Sequence, residues 1–287
     1  MEEVNSEKFK AMIYAHLSEY KRSILKITKN GEYKGKEYSH ILPKEQIESN
    51  FLKGVNIHRK IKLHRCAHHL NSSQVMCINF FQPLTGTKKG EALLLNILEK
   101  VGVVRLPPNA KIKEASFEEV LCTEEKTNFD FYVKLVTGEQ IFFEIKYTEN
   151  GFGKIYPNKN NPNKCQDKWK NVYENHISKS LLIKDISSSN FYANYQIWRN
   201  ISYIRNKDDF VVFLFPFENI KALKEIQSTV ANLCDVTRNI KIINWDRITE
   251  IAIELSRDTV YYEHFNLFKD KYLAFNKQYK NVDGIPI

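Results

Sequence analysis

Apolar positions recur at helical spacing between Ser6 and Ile27, where Phe9, Met12, Ile13, Leu17, Tyr20, Ile24 and Leu25 follow an Asn5/Ser6 cap. This predicts an amphipathic helix stopped at Asn30-Gly31. The next forty residues hold short elements, and Tyr38-Ser39-His40-Ile41-Leu42-Pro43 reads as an extended piece ended by proline. From Gly90 to Val101 the run beginning Glu91-Ala-Leu-Leu-Leu predicts a second, mostly buried helix. The pattern then changes to that of strands. Phe129 to Val136, a turn at Thr137-Gly138-Glu139, and Gln140 to Tyr147 form the clearest hairpin in the chain. A loop rich in Gly, Asn and Lys follows from Asn150 to Asn163, with helices around Asp167–Ser180 and Tyr192–Arg205. Phe210-Val-Val-Phe-Leu-Phe215 is apolar at every position and therefore predicts a strand buried on both faces; Ile240–Trp245 predicts another. Helices at Phe217–Leu233, Asp246–Ser256 and Tyr261–Lys277 complete an α/β pattern, with no internal repeat and no clear linker.

Composition narrows the classes. A chain of 287 residues that is 43% hydrophobic and 13% aromatic can bury a substantial core, which excludes a disordered tail or a coiled coil. No apolar run reaches the roughly 18 residues of a membrane span, and the opening Met1-Glu2-Glu3 lacks the regions of a signal peptide, so a cytoplasmic location is expected. The cysteines, Cys66, Cys77, Cys122, Cys165 and Cys234, are odd in number and widely spaced, as expected of reduced thiols. His64, Cys66, His68 and His69 match no closed four-ligand spacing and read as a surface cluster, while His40 reads as a structural histidine.

The formal charge of +9 is unevenly placed. Residues 1–70 carry net +6 and residues 151–207 net +7, whereas 71–150 and 208–287 each carry −2. A lysine-rich composition alone would raise the total, but two separate basic segments are also how a phosphate-backbone footprint would be distributed. The expected organisation is a basic N-terminal helical arm over 1–70, able to pack on a larger domain over 71–287.

Four acid-x-Lys triplets occur in the chain, so spacing alone selects none of them. Glu144-Ile145-Lys146 differs in context, because it ends a strand paired with one that carries Asp130. Residues two apart in a strand share a face, so Glu144 and Lys146 point together, away from Phe143 and Ile145. With the turn at Thr137-Gly138-Glu139, Asp130 falls opposite Lys146, diagonal to Glu144 and on the same face. An even-length turn would put Asp130 on the other face; the shared face therefore requires an odd turn or a bulge.

An Asp on one strand followed by Glu-x-Lys on the next resembles the PD-(D/E)xK nuclease superfamily. Blocks such as Ser39-His40-Ile41-Leu42-Pro43, Asn71-Ser72-Ser73-Gln74 and Tyr195-Gln196 look like those of a bacterial restriction-endonuclease-like branch. Phe129 stands where the motif's Pro would be. The resemblance implies a restriction-endonuclease-like core with a mixed central sheet flanked by helices. It implies Asp130 and Glu144 as ligands of Mg²⁺ or Mn²⁺, the Ile145 carbonyl as a further ligand, and Lys146 as the group that positions water. By the same resemblance Glu91 is a candidate further carboxylate, with Glu99, Glu118 and Glu119 as competitors, and Gln196 a candidate support on a later helix, where Asn200 shares its face.

Lys154, Lys159, Lys164, Lys168 and Lys170, interleaved with Phe152, Tyr156 and Trp169, follow the hairpin and are candidate nucleic-acid-binding residues. Arg is nearly absent there, so backbone contacts are expected rather than base reading. The expected function is metal-dependent, restriction-like DNA endonuclease activity, with DNA as partner and a homodimer as a possible arrangement for cutting two strands. The alternative is a non-catalytic nucleic-acid-binding module with a degenerate nuclease core.

Overall fold

The computed structural model describes residues 6–56, 61–107, 109–125, 127–156, 163–231, 233 and 238–275. They divide into two compact units, one formed by 1–97 with 245–287 and the other by 98–244.

In the first unit the predicted N-terminal helix is α1, Ser6–Ser23, burying Phe9, Ile13, Leu17 and Lys21 along one face. It stops short of Ile27 because Ile24 is 62% exposed and Lys26 turns to positive φ. Lys21 closes the helix by donating from Nζ to Asn30 Oδ1 at 2.8 Å and to the Lys29 carbonyl at 3.0 Å. A small hairpin, β1 Gly31–Tyr33 and β2 Lys36–Tyr38, follows. Helix α2, Ser73–Phe81, went unread in the sequence because it is buried on nearly every side and shows no polar face; Ser72 caps it by accepting from the Val75 N–H. Helix α3, Lys88–Lys100, matches the predicted second helix.

The histidine segment is a correction. His68 and His69 are buried rather than on the surface, since Leu42 N–H donates to the His68 carbonyl, Ile41 bridges His69, and Tyr33 packs edge-on to the His69 ring. His40 is buried with its ring stacked on Tyr14 at 3.9 Å.

The second unit holds a five-stranded mixed sheet, β3 (Ile112–Glu119), β4 (Phe129–Leu135), β5 (Gln140–Ile145), β6 (Phe210–Phe215) and β7 (Ile240–Asn244), in that spatial order. The first three strands are antiparallel; β5, β6 and β7 are parallel. Every residue of β6 is buried, as its unbroken apolar run required. Helices α4 (Asn163–Lys168), α5 (Glu174–Ser178), α6 (Ser188–Ala193), α7 (Tyr195–Ile201) and α8 (Ile220–Val230) flank the sheet, and Trp169, Tyr173, Phe191, Ile197 and Ile201 pack with Tyr132, Phe142, Val211 and Phe213. The expected restriction-endonuclease-like α/β architecture is therefore present.

Two predicted helices are subdivided. Asp167–Ser180 contains a π turn at Trp169–Tyr173 between α4 and α5. Tyr192–Arg205 breaks at Asn194 into α6 and α7, because residues 153–155 pair with it: Ile155 N–H donates to the Tyr192 carbonyl, and Gln196 N–H to the Gly153 carbonyl. After β7 come α9, Trp245–Ser256, and α10, Tyr261–Tyr272, both in the first unit, where Trp245 and Phe268 pack against Phe80. Among the described residues no helix is long and apolar enough to cross a membrane.

Candidate active site

The hairpin turns over three residues, Val136 to Gly138, as Leu135 N–H donates to the Glu139 carbonyl and Lys134 faces Gln140. The turn is odd in length, as expected, but begins one residue earlier. The ladder runs through Phe131 opposite Phe143; one step further, Asp130 stands across from Glu144, not Lys146. The shared face survives this correction, because shifting the turn by one residue displaces the partner by two.

Asp130 Oδ2 accepts from the backbone N–H of Ile145 at 2.6 Å, which fixes this carboxylate against the end of β5. Glu144 is 3% exposed, and Lys146 Nζ lies 2.6 Å from its Oε1. The ammonium also sits over the Phe152 ring, 5.5 Å from its centroid. Asp130, Glu144 and Lys146 thus converge where β4 starts and β5 ends.

Helix α7 closes over this group. Gln196 Nε2 donates to Glu144 Oε1, while Asn200 Nδ2 donates to Glu144 Oε2 at 2.8 Å. The spacing of four residues puts both amides on one helix face. Gln196 is itself oriented by the Gly153 N–H, which donates to its Oε1 at 2.9 Å. A side chain at Gly153 would meet Gln196 Oε1 at 3.4 Å.

Sequence reasoning missed the residues behind Asn200. Arg199 donates from its NH1 group to Asn200 Oδ1 at 2.8 Å and from Nε to Glu125 Oε1 at 2.9 Å. Tyr203 donates to the other Glu125 oxygen at 2.5 Å. Arg199 and Glu125 are fully buried and lie 74 residues apart, so no local spacing could have joined them.

The charges respond to this packing. Burial raises the Asp130 carboxyl well above the usual carboxylate range, and the facing Glu144 raises it further, against the pull of Lys146. Burial opposes the Lys146 charge, but Glu144, then Asp130 and Glu149, outweigh it and hold the ammonium above its ordinary value. Two hard-oxygen carboxylates that repel one another suit a small divalent cation, so the donor set fits Mg²⁺ or Mn²⁺.

The other sequence candidates stand on several elements. Ile145 contributes its N–H to Asp130. Glu91 stands in the first turn of α3, in the first unit. Lys154 pairs with Glu225 at 3.3 Å, and Lys168 donates to the Glu125 carbonyl at 3.1 Å; both are engaged within the fold. Lys164 and Lys170 are exposed, and Lys159 lies outside the described residues. Cys122, Glu125 and His176 bring possible ligand atoms within 4.8 Å of one another. The Glu125 oxygens in that group already accept from Arg199 and Tyr203.

A family model described as "Restriction Endonuclease associating with ARP" matches residues 14–273. No curated protein and no solved structure matches the chain. The family match takes in both units, including the strands that carry Asp130 and Glu144 and the Lys146 that follows β5, and the protein belongs to this restriction-endonuclease-like family.

Proposed function

We propose that the chain is a metal-dependent DNA endonuclease of the PD-(D/E)xK type. The observation that carries this reading is the meeting of Asp130, Glu144 and Lys146 on one sheet face, with Gln196 and Asn200 fixing Glu144. Asp130 and Glu144 would hold the cation, together with the Ile145 carbonyl. When bound, Mg²⁺ or Mn²⁺ supplies Lewis acidity to a phosphodiester and lowers the pKa of water.

The remaining work falls to the chain. The Lys146 ammonium is steered by Glu144, so it can orient a nucleophilic water and offset the charge that develops on phosphorus. Phe152 and the covering helix α7 keep bulk water from the Glu144 side of the group. Exposed Lys164 and Lys170, in a segment of net +7, would hold the phosphate backbone. A homodimer would give one site per DNA strand.

One observation favours a competing reading, a binding module with a silent core: both Glu144 oxygens already accept hydrogen bonds from side chains. Plasmid cleavage in Mg²⁺ or Mn²⁺ by the native chain, Asp130→Asn and Lys146→Gln separates the two. The endonuclease reading expects cleavage lost in both variants with DNA affinity retained, and undiminished cleavage by both would sink it. Salt-sensitive DNA binding without cleavage by the native chain would establish the module.

A further inference from the structure

Glu144 has an asymmetric set of partners. Among the described residues Lys146 and Gln196 address Oε1, while Asn200 is bonded to Oε2. An amide can present either its oxygen or its NH₂ group to a neighbour, and only the NH₂ is acceptable to a carboxylate. Arg199 fixes that choice. Its NH1 group donates to Asn200 Oδ1, which requires the oxygen to face the guanidinium and the NH₂ to face Glu144.

Arg199 is fixed in turn. Glu125 binds its Nε, the Asn128 carbonyl accepts from its NH1 group at 3.0 Å, and the guanidinium carbon lies 4.1 Å from the centroid of the Phe129 ring. Tyr203 holds the second Glu125 oxygen. Asn200 is fully buried, Arg199 is 2% exposed and Glu125 1%, so the intact chain of hydrogen bonds is shielded from water. Glu125 also neutralises Arg199 locally, so the guanidinium can orient Asn200 without leaving a net positive charge beside the site.

We propose that Arg199, held by Glu125, is a positioning residue: it acts through the Asn200 amide to hold the Glu144 carboxylate in the single orientation from which it would meet the cation. This rests on the endonuclease reading above for its functional meaning, but the chain from Glu125 to Glu144 can be tested apart from it.

The test is a double-mutant cycle on the full chain, with Mn²⁺ affinity read by electron paramagnetic resonance and exchange of the Asn200 side-chain amide read by NMR. Arg199→Lys should weaken Mn²⁺ binding about 10-fold or more, the scale expected for a partner of a metal ligand, and should expose the Asn200 amide to exchange. In an Asn200→Ala background the same substitution should have little further effect, because the path is already cut. Glu125→Gln, which keeps the shape of the side chain, should give a smaller loss that also disappears in Asn200→Ala. This second variant decides the matter if Arg199→Lys fails to fold.

Losses that simply add across the cycle, or an Asn200 amide still protected in Arg199→Lys, would overturn the proposal. A native chain that binds no Mn²⁺ but shows Arg199-dependent protection would instead sink the metal-dependent reading and uphold the positioning chain.

Discussion

Asp130 on β4 and Glu144 on β5 stand across from one another, and the N–H of Ile145 reaches over to Asp130 Oδ2 at 2.6 Å. The backbone of one strand thereby fixes a side chain of the other. Asp130→Asn keeps an oxygen for this hydrogen bond and removes the charge. Mn²⁺ binding and cleavage should both fall by at least about 100-fold, with thermal stability unchanged or raised because the repulsion with Glu144 is relieved. Titration calorimetry and plasmid nicking check this.

Lys146 is the only cation bonded to Glu144 among the described residues. Lys146→Met should preserve packing against Phe152 yet lower cleavage by about 100-fold or more, the usual scale for losing a group that stabilises developing charge. DNA affinity in a filter-binding assay should change by no more than a few-fold.

Glu125→Ala leaves Arg199 buried without its carboxylate. Breaking a buried pair on one side costs about 3–5 kcal/mol, and urea denaturation should show a loss of that order. A surface pair provides the control: Arg238→Ala, against Asp208, should change stability by less than about 1 kcal/mol.

Burial, with Lys21 adding to it, lowers His40 to about 4; burial, then neighbouring His68, His40 and His64, lowers His69 to about 4. The folded chain keeps both rings neutral where the unfolded chain would protonate them near pH 6.5. Their contribution is therefore whole above pH 6.5 and is lost as pH falls from there toward 4, with a slope of about 1.4 kcal/mol per unit for each ring. Unfolding midpoints measured from pH 7 to 4.5 should fall, and His40→Phe should flatten the slope.

Lys164 and Lys170 are exposed; Lys154 pairs with Glu225, and Lys168 donates to the Glu125 carbonyl. Replacing Lys164 and Lys170 by Ala should weaken DNA binding and reduce the salt slope by about 0.9 for each phosphate contact removed. Lys154→Ala should leave the slope unchanged.

What the sequence made legible follows strict rules of geometry. Alternation put Glu144 and Lys146 on one face, and the odd turn put Asp130 with them. The position of the turn was hidden by Val136, a β-branched residue that reads as strand yet is 62% exposed at the bend, while Gly138 closes it at φ +110°. Strand β3 was missed because Ile112–Glu119 carries glutamates on an edge, where charge discourages pairing with other chains and spoils alternation. Gln196 and Asn200 were visible as a pair four residues apart. Glu125 stood in an acid-x-Lys triplet that spacing gave no reason to prefer, and its partner Arg199 is distant in sequence.

The two strands of the site run in opposite directions, so the beginning of β4 and the end of β5 meet at one rim of the sheet. The segments that enter β4 and leave β5 spring from this same rim. Asp130 and Glu144 thus sit on a frame fixed by ladder hydrogen bonds, while the adjoining segments reach back to it, Glu125 through Arg199 and Gly153 through Gln196. A change of length in either segment would therefore be felt at Glu144, through Asn200 on one side and Gln196 on the other.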